Sequence, residues 1–304
     1  MSAHNSLSWR RDTFGQILAK AKEKRGVALM GVCNVTPDSF SDGGRYFDFG
    51  AACAHIDEMI DAGVDIVDIG GESTQPRLAR VETQEQIARV LDVVSYASAK
   101  IAVSVDSHDP QVAAVCLDAG AIAINDVSCM RNEKLAESVA SKSAAIIISH
   151  ARESQEVMRG FSDYPADAYT DIVSDVLGDL RIAAEKAVQA GVSRQSIVID
   201  PGLGFSKSAN HSGELVRRLS QLIKGFGGDV MVGASRKSFL QLIDPKASPR
   251  ERDGASIAVA MIAARAGVSM LRVHDVRATR QAIDADRFFQ ANPETFEGER
   301  SRHA

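Results

Sequence analysis

The chain has 304 residues, 45% of them hydrophobic and 25% charged, enough to bury the core of one α/β barrel or of two ordinary domains. Its net charge of −5 argues against a polyanion-binding surface, and its scattered aromatics (5%) against a stacking platform, so no nucleic-acid partner is expected. No run approaches the ~20 apolar residues of a membrane span, residues 1–25 hold no signal-peptide run, and Cys33, Cys53, Cys116 and Cys129 lack Cys-x-x-Cys spacing and a companion histidine pair; a cytoplasmic protein with reduced thiols, no zinc site and no membrane partner is expected.

Residues 1–26 read as an N-terminal extension with a first helix, and 291–304 as a disordered tail. Between them short apolar runs alternate with longer amphipathic stretches. The runs are 27–34, 64–70, 101–106, 121–126, 144–150, 196–200, 229–233 and 269–274; helices are predicted over 50–62, 83–97, 110–118, 132–141, 167–190, 211–224, 253–266 and 277–290. Continuously apolar strands suit a parallel sheet covered on both faces. Four of the helices end in Ala-Gly, at Gly63, Gly120, Gly191 and Gly267, where glycine accepts the left-handed conformation that closes a last turn. Eight βα units predict a single-domain α/β fold, a (β/α)8 TIM barrel over 27–290. No Gly-x-Gly-x-x-Gly follows the first strand, which weakens a dinucleotide-binding alternative, and no Gly-x-Ser-x-Gly elbow supports a serine hydrolase.

Barrel enzymes work at the C-terminal mouth, so strand-end residues carry the functional signal. Here each strand ends in a polar residue: Asn34, the Glu72-Ser73-Thr74 turn, Asp106, Asn125, His150, Asp200, the Ser235-Arg236-Lys237 turn, and Arg272 with His274. One such residue is explained equally well as a cap for the next helix; eight together point to a pocket for an anionic small molecule. The polar loop after the first strand, with Phe40 and Gly43-Gly44, reads as a lid. Asp200-Pro201-Gly202-Leu203-Gly204-Phe205-Ser206-Lys207 offers a carboxylate to an amidine-like edge and glycines that admit a flat ligand. The cations after strands 7 and 8 stand where such barrels build phosphate sites. His55, His108 and His211, within or beside helices, read as structural or solvent-facing.

In order, NVTPDSFSDGG (34–44), GGEST-P (70–76), SVDS (104–107), IND (124–126), DPGLGF-K (200–207), SRKSF (235–239) and RVHDV (272–276) resemble the dihydropteroate synthases of folate synthesis, a TIM-barrel family. The resemblance implies a transferase that joins 6-hydroxymethyl-7,8-dihydropterin diphosphate to 4-aminobenzoate, releasing pyrophosphate, with Mg²⁺ as cofactor and a homodimer as the form. It implies that Asp106, Asn125, Asp200, Phe205 and Lys237 bind the pterin, that Asn34, Arg272 and His274 hold the diphosphate with Asn34 also at the metal, and that Phe40, Ser73, Thr74, Pro76, Lys237 and Ser238 form the 4-aminobenzoate site. Asp42, Asp106, Asp200 and Lys237 take the catalytic roles; His150 receives none. The family's second loop usually reads ESTRPGA where this chain has Glu72-Ser73-Thr74-Gln75-Pro76-Arg77-Leu78. That departure lies on the aminobenzoate side, where sulfonamides bind in this family, and motivates an expectation of altered sulfonamide sensitivity. The rival readings are a methyltetrahydrofolate-binding corrinoid methyltransferase barrel, which has no diphosphate leaving group, and a non-catalytic pterin-binding paralogue.

Overall fold

Side-chain alternation along each strand decides what this architecture can hold, because successive residues of a strand point to opposite faces. A computed structural model describes residues 9–36, 49–72, 80–154, 156–158 and 164–290. Eight parallel strands, β1 (Ala28–Asn34), β2 (Ile66–Gly70), β3 (Ala102–Asp106), β4 (Ala123–Asp126), β5 (Ala145–Ser149), β6 (Ile197–Asp200), β7 (Asp229–Val232) and β8 (Met270–Val273), close into a barrel in sequence order. β1 completes it by pairing with both β2 and β8. The helices between them are α2 (Phe49–Asp61), α3 (Thr83–Ser98), α4 (Pro110–Asp118), α5 (Glu133–Ser141), α6 (Ile172–Gln189), α7 (Ala209–Arg217), α8 (Leu219–Phe226), α9 (Asp253–Ala266) and α10 (Val276–Gln290), after an N-terminal α1 (Trp9–Arg25).

The outward strand positions, among them Val67, Ile69, Val103, Val105, Ile124, Ile146, Ile148 and Ile199, join the helices in one large core. The inward positions form a separate cluster at the N-terminal end of the barrel, with Met30, Ile66, Ala123, Ala145, Ile147, Val198, Met231 and Met270. Phe14, Leu18 and Ala21 of α1, spaced to share one helix face, belong to that second cluster, so α1 closes the bottom of the barrel. Arg10 fastens it by donating to the carbonyls of Leu117, Ala121 and Lys142. From two residues further along, the inward positions of β2 to β6 turn polar: Asp68, Ser104, Asp106, Asn125, Ser149 and Asp200 are all buried. An apolar floor beneath a polar upper layer confines the chemistry to the C-terminal mouth.

The Ala-Gly helix ends behave as the sequence predicts, with φ of +85°, +111°, +103° and +94° at Gly63, Gly120, Gly191 and Gly267. Other boundaries differ. The predicted helix over 167–190 starts only at Ile172, because the Asp171 carboxylate accepts from Ser174 N and caps it there. The predicted helix over 211–224 is two helices parted at Arg218 (φ −107°, ψ 20°), whose guanidinium reaches Asp171 Oδ2 at 2.7 Å. His211, as expected, is structural: it completes a capping box with Ser208. The four cysteines are free, and burial above all pushes the Cys33 and Cys116 thiols up to about 12.

Candidate active site

The upper layer encloses an open-mouthed cavity of about 380 Å³, lined by Val32, Asn125, Val127, Ser149, Asp200, Phe205, Gly233, Ser235, Lys237, Arg272 and His274. Seven of these are residues singled out by sequence: Asn125, Asp200, Phe205, Ser235, Lys237, Arg272 and His274. Asp200 ends β6; its Oδ1 accepts from Gly202 N at 2.8 Å and its Oδ2 from Ser149 Oγ at 3.3 Å, which orients the carboxylate toward the cavity. Lys237 Nζ donates to Leu203 O at 2.8 Å and stands 4.2 Å above the Phe205 ring. Burial lowers the lysine to about 8, partly offset by Asp200. Phe205 packs with Ala151, Met158 and Val127, giving the cavity an apolar wall.

The barrel also holds a polar cluster around Asp68, a residue that the sequence reading missed. Asp68, fully buried on β2, accepts from Arg272 Nε at 2.7 Å and from Asn125 Nδ2 at 2.9 Å through the same oxygen, Oδ2. Arg272 Nη2 donates in turn to Asp106 Oδ2 at 2.8 Å. Two carboxylates thus share one guanidinium. Burial, opposed by Arg272 and reinforced by Asp68 and Glu72, raises the Asp106 carboxyl above its ordinary range. The bond from Asn125 Nδ2 settles that amide's orientation: its Oδ1 is left buried without a hydrogen-bond partner among the described residues, an acceptor for a ligand N–H.

The expected residues do not all meet at the cavity. Asp106 stands behind Arg272 against Gly70 and does not line it. Asn34 ends β1 with its Oδ1 on the same Gly70 side of the barrel, and Ser238 opens a short 3₁₀ turn with its Oγ buried and unpartnered among the described residues. Glu72, part of the predicted second-strand turn, anchors the returning loop instead, accepting from Val81 N and Gln86 Nε2. Arg236, read with Lys237 as a phosphate ligand, is bound in a two-pronged pair to Asp253 at 2.7 and 2.9 Å and lies outside the cavity lining. His150 is also corrected. It follows the inward Ser149, so its side chain lies on the outer face of the barrel, where Nε2 meets Asp179 of α6 at 3.0 Å. His274 does face the cavity, tied to Ser235 Oγ through Nδ1 at 2.9 Å; burial, then Arg272, lowers it to about 3, so it is a neutral imidazole. Phe40, Asp42, Ser73, Thr74 and Pro76, and the divergent Gln75-Pro76-Arg77-Leu78, lie outside the described residues.

An acceptor pair, a cation over an aromatic ring and a second cation at the mouth suit a flat heterocycle carrying an anionic tail. Comparison with known proteins decides the family. A model of the pterin binding enzymes matches residues 30–274. The chain is 40% identical over 264 residues to the dihydropteroate synthase of Mycobacterium leprae, covering 84% of this chain and 91% of that one. This chain belongs to the dihydropteroate synthase family. It is 36% identical over 283 residues (91% of the chain) to a probable bifunctional folylpolyglutamate synthase/dihydropteroate synthase of Haloferax volcanii, and spans 32% of that longer protein. The Xanthomonas albilineans dihydropteroate synthase solved with 4-aminobenzoic acid superposes with a TM-score of 0.80 at 35% identity, over 88% of this chain and 94% of that one. The same protein in complex with 7,8-dihydropteroate gives 0.77 at 34% identity, over 88% and 95%. The family's barrel is therefore the one predicted from the alternation of elements.

Proposed function

We propose that the protein condenses 6-hydroxymethyl-7,8-dihydropterin diphosphate with 4-aminobenzoate to give 7,8-dihydropteroate and pyrophosphate. The observation that carries this reading is the pairing, in one cavity, of Asp200 and the unpartnered Asn125 Oδ1 with Lys237 above Phe205. Two acceptors match the N–H edge of a pterin, the ammonium its carbonyl and ring nitrogen, and Phe205 its ring face. Asp106 supports the site by holding Arg272.

The reaction breaks the bond between the pterin methylene and the diphosphate oxygen, whose electron pair leaves with pyrophosphate. The aminobenzoate nitrogen forms the new C–N bond and then releases its proton to solvent. An arylamine is neutral at pH 7, so the harder task is charge separation at the methylene, and a dissociative order is proposed. Arg272 offers fixed positive charge to the departing anion, and neutral His274 a hydrogen bond without a further charge. Asp42 is proposed to face the developing cation, and Phe40, Ser73, Thr74, Pro76 and Ser238 to seat the amine. Asn34, a neutral oxygen donor at a strand end on the mouth side, fits Mg²⁺, which draws most of its ligands from water and substrate phosphates. When bound there, the ion supplies charge neutralisation to the diphosphate. A cytoplasmic homodimer is proposed from the family resemblance; among the described residues no helix is long and apolar enough to cross a membrane.

Asp200→Asn tests the carrying observation. It replaces a double acceptor with a group that offers one acceptor and one donor, and should raise the Kd for 6-hydroxymethyl-7,8-dihydropterin at least tenfold, measured by titration calorimetry. Unchanged binding would remove the pterin assignment.

A further inference from the structure

Lys207 is fully buried yet lines no part of the cavity. Its Nζ lies 2.7 Å from His150 Nδ1, 2.9 Å from Phe205 O and 3.1 Å from Gly202 O, with His150 O at 3.4 Å. The Asp179 carboxylate accepts, so the imidazole proton sits on Nε2, directed at Asp179 Oδ2, and His150 Nδ1 is left to accept from Lys207. Asp179 also takes Arg152 Nε at 2.9 Å; Arg152 stacks on Tyr169 at 4.1 Å, and the Tyr169 hydroxyl donates to Ser206 O at 2.7 Å. The chain of contacts therefore leaves the 200–207 segment through Lys207 and returns to it at Ser206.

That segment needs such support. It is irregular, with positive φ at Gly202, Gly204 and the non-glycine Ser206. It presses on the end of β5 so closely that a Cβ on Gly202 would stand 2.1 Å from His150 O. Its inward carbonyls converge on two cations, Gly202 O and Phe205 O on Lys207 and Leu203 O on Lys237. A buried carbonyl deprived of its donor must find another or move, and these carbonyls lie on the backbone that connects Asp200 to Phe205. We propose that Lys207, held by His150 and Asp179, is a positioning residue for the pterin site: it sets the backbone of 200–206 and through it the placement of the Asp200 carboxylate and the Phe205 ring. The inference rests on the pterin reading of those two residues.

The test compares Lys207→Met, His150→Leu and His150→Asn with the wild type by titration with 6-hydroxymethyl-7,8-dihydropterin and by the KM of each substrate. His150→Asn keeps an acceptor oxygen near the Nδ1 position, whereas leucine keeps none. Lys207→Met and His150→Leu should raise the pterin Kd at least tenfold while the KM for 4-aminobenzoate stays within twofold, and His150→Asn should stay within threefold of wild-type pterin affinity. If Lys207→Met does not fold, the His150 pair decides. Folded Lys207→Met or His150→Leu that binds the pterin within twofold of wild type, or equal losses in His150→Asn and His150→Leu, would overturn the proposal. Asp200→Asn, run in parallel, separates the two claims: undiminished binding there defeats the pterin reading itself, while a loss confined to Asp200→Asn defeats only the role of Lys207.

Discussion

Asp68 gives a graded test, because one oxygen accepts two hydrogen bonds and its charge answers a buried guanidinium. In Asp68→Leu, of similar volume, Arg272 Nε and Asn125 Nδ2 lose their acceptor inside the barrel. A buried donor left unmade costs about 1–3 kcal/mol, and more when it is charged. Arg272 keeps Asp106, so the full cost of breaking a buried ion pair does not apply. The repulsion that Asp68 exerts on Asp106 is also relieved. The net loss should be about 3–5 kcal/mol, which at roughly 2 °C per kcal/mol for a chain of this size lowers Tm by about 6–10 °C. Asp68→Asn can turn its carbonyl oxygen to the Oδ2 position and keep both bonds; it loses the charge assistance and sets its N–H₂ at the unpartnered Oδ1 position, about 1–3 kcal/mol in all. Binding should follow the same order, since an Asn125 amide without Asp68 is free to flip and present N–H₂ to the ligand. Thermal unfolding followed by circular dichroism, with titration calorimetry of the pterin, measures both. Asp68→Leu within 1 kcal/mol of wild type with unchanged pterin affinity would refute the idea that this carboxylate organises the upper layer.

Acid should destabilise the fold earlier than the carboxylates alone would require. His150 and His274, each lowered to about 3 chiefly by burial, lie below the unfolded value near 6.5, so the unfolded chain takes up these protons first. The histidine contribution is full above about pH 6.5 and is lost as pH drops toward 3, by about 1.4 kcal/mol per pH unit for each histidine; Asp106, raised by burial, takes up its proton in the fold and offsets part of that loss, and urea midpoints that stay flat between pH 6 and 4.5 in Asp106→Asn, where that offset is gone, would contradict this. Phe14→Ala empties the floor of the barrel and should cost about 3–5 kcal/mol while kcat/KM at 20 °C stays within twofold, checked by urea unfolding and steady-state kinetics. Gln75-Pro76-Arg77-Leu78 should shift the ratio of sulfonamide Ki to 4-aminobenzoate KM, and restoring Arg-Pro-Gly-Ala at 75–78 should return it; ordinary inhibition of the unaltered enzyme would dismiss the effect.

Repeating strands with Gly-terminated helices made the barrel legible, and the cavity residues Asn125, Asp200, Phe205, Ser235, Lys237, Arg272 and His274 were legible as strand-end or motif positions. What escaped the reading follows from side-chain direction. His150 and Ser149 are neighbours at the end of β5, and only period two, counted from the apolar floor through Ala145 and Ile147, shows that Ser149 faces in and His150 faces out. The same count would have found Asp68, two residues above Ile66, an acid inside a strand otherwise apolar. The 4–3 spacing of Phe14, Leu18 and Ala21 likewise signalled an apolar face on α1. Other features had no local signal: Arg236 turns to Asp253, 17 residues away, and Lys207 turns inward from a loop whose positive φ angles no pattern of apolar residues encodes.

Purified protein supplied with Mg²⁺, 6-hydroxymethyl-7,8-dihydropterin diphosphate and 4-aminobenzoate should release pyrophosphate and form 7,8-dihydropteroate in equal amounts, each dependent on both substrates. Pterin binding without pyrophosphate release would contradict the account and leave a binding protein in its place.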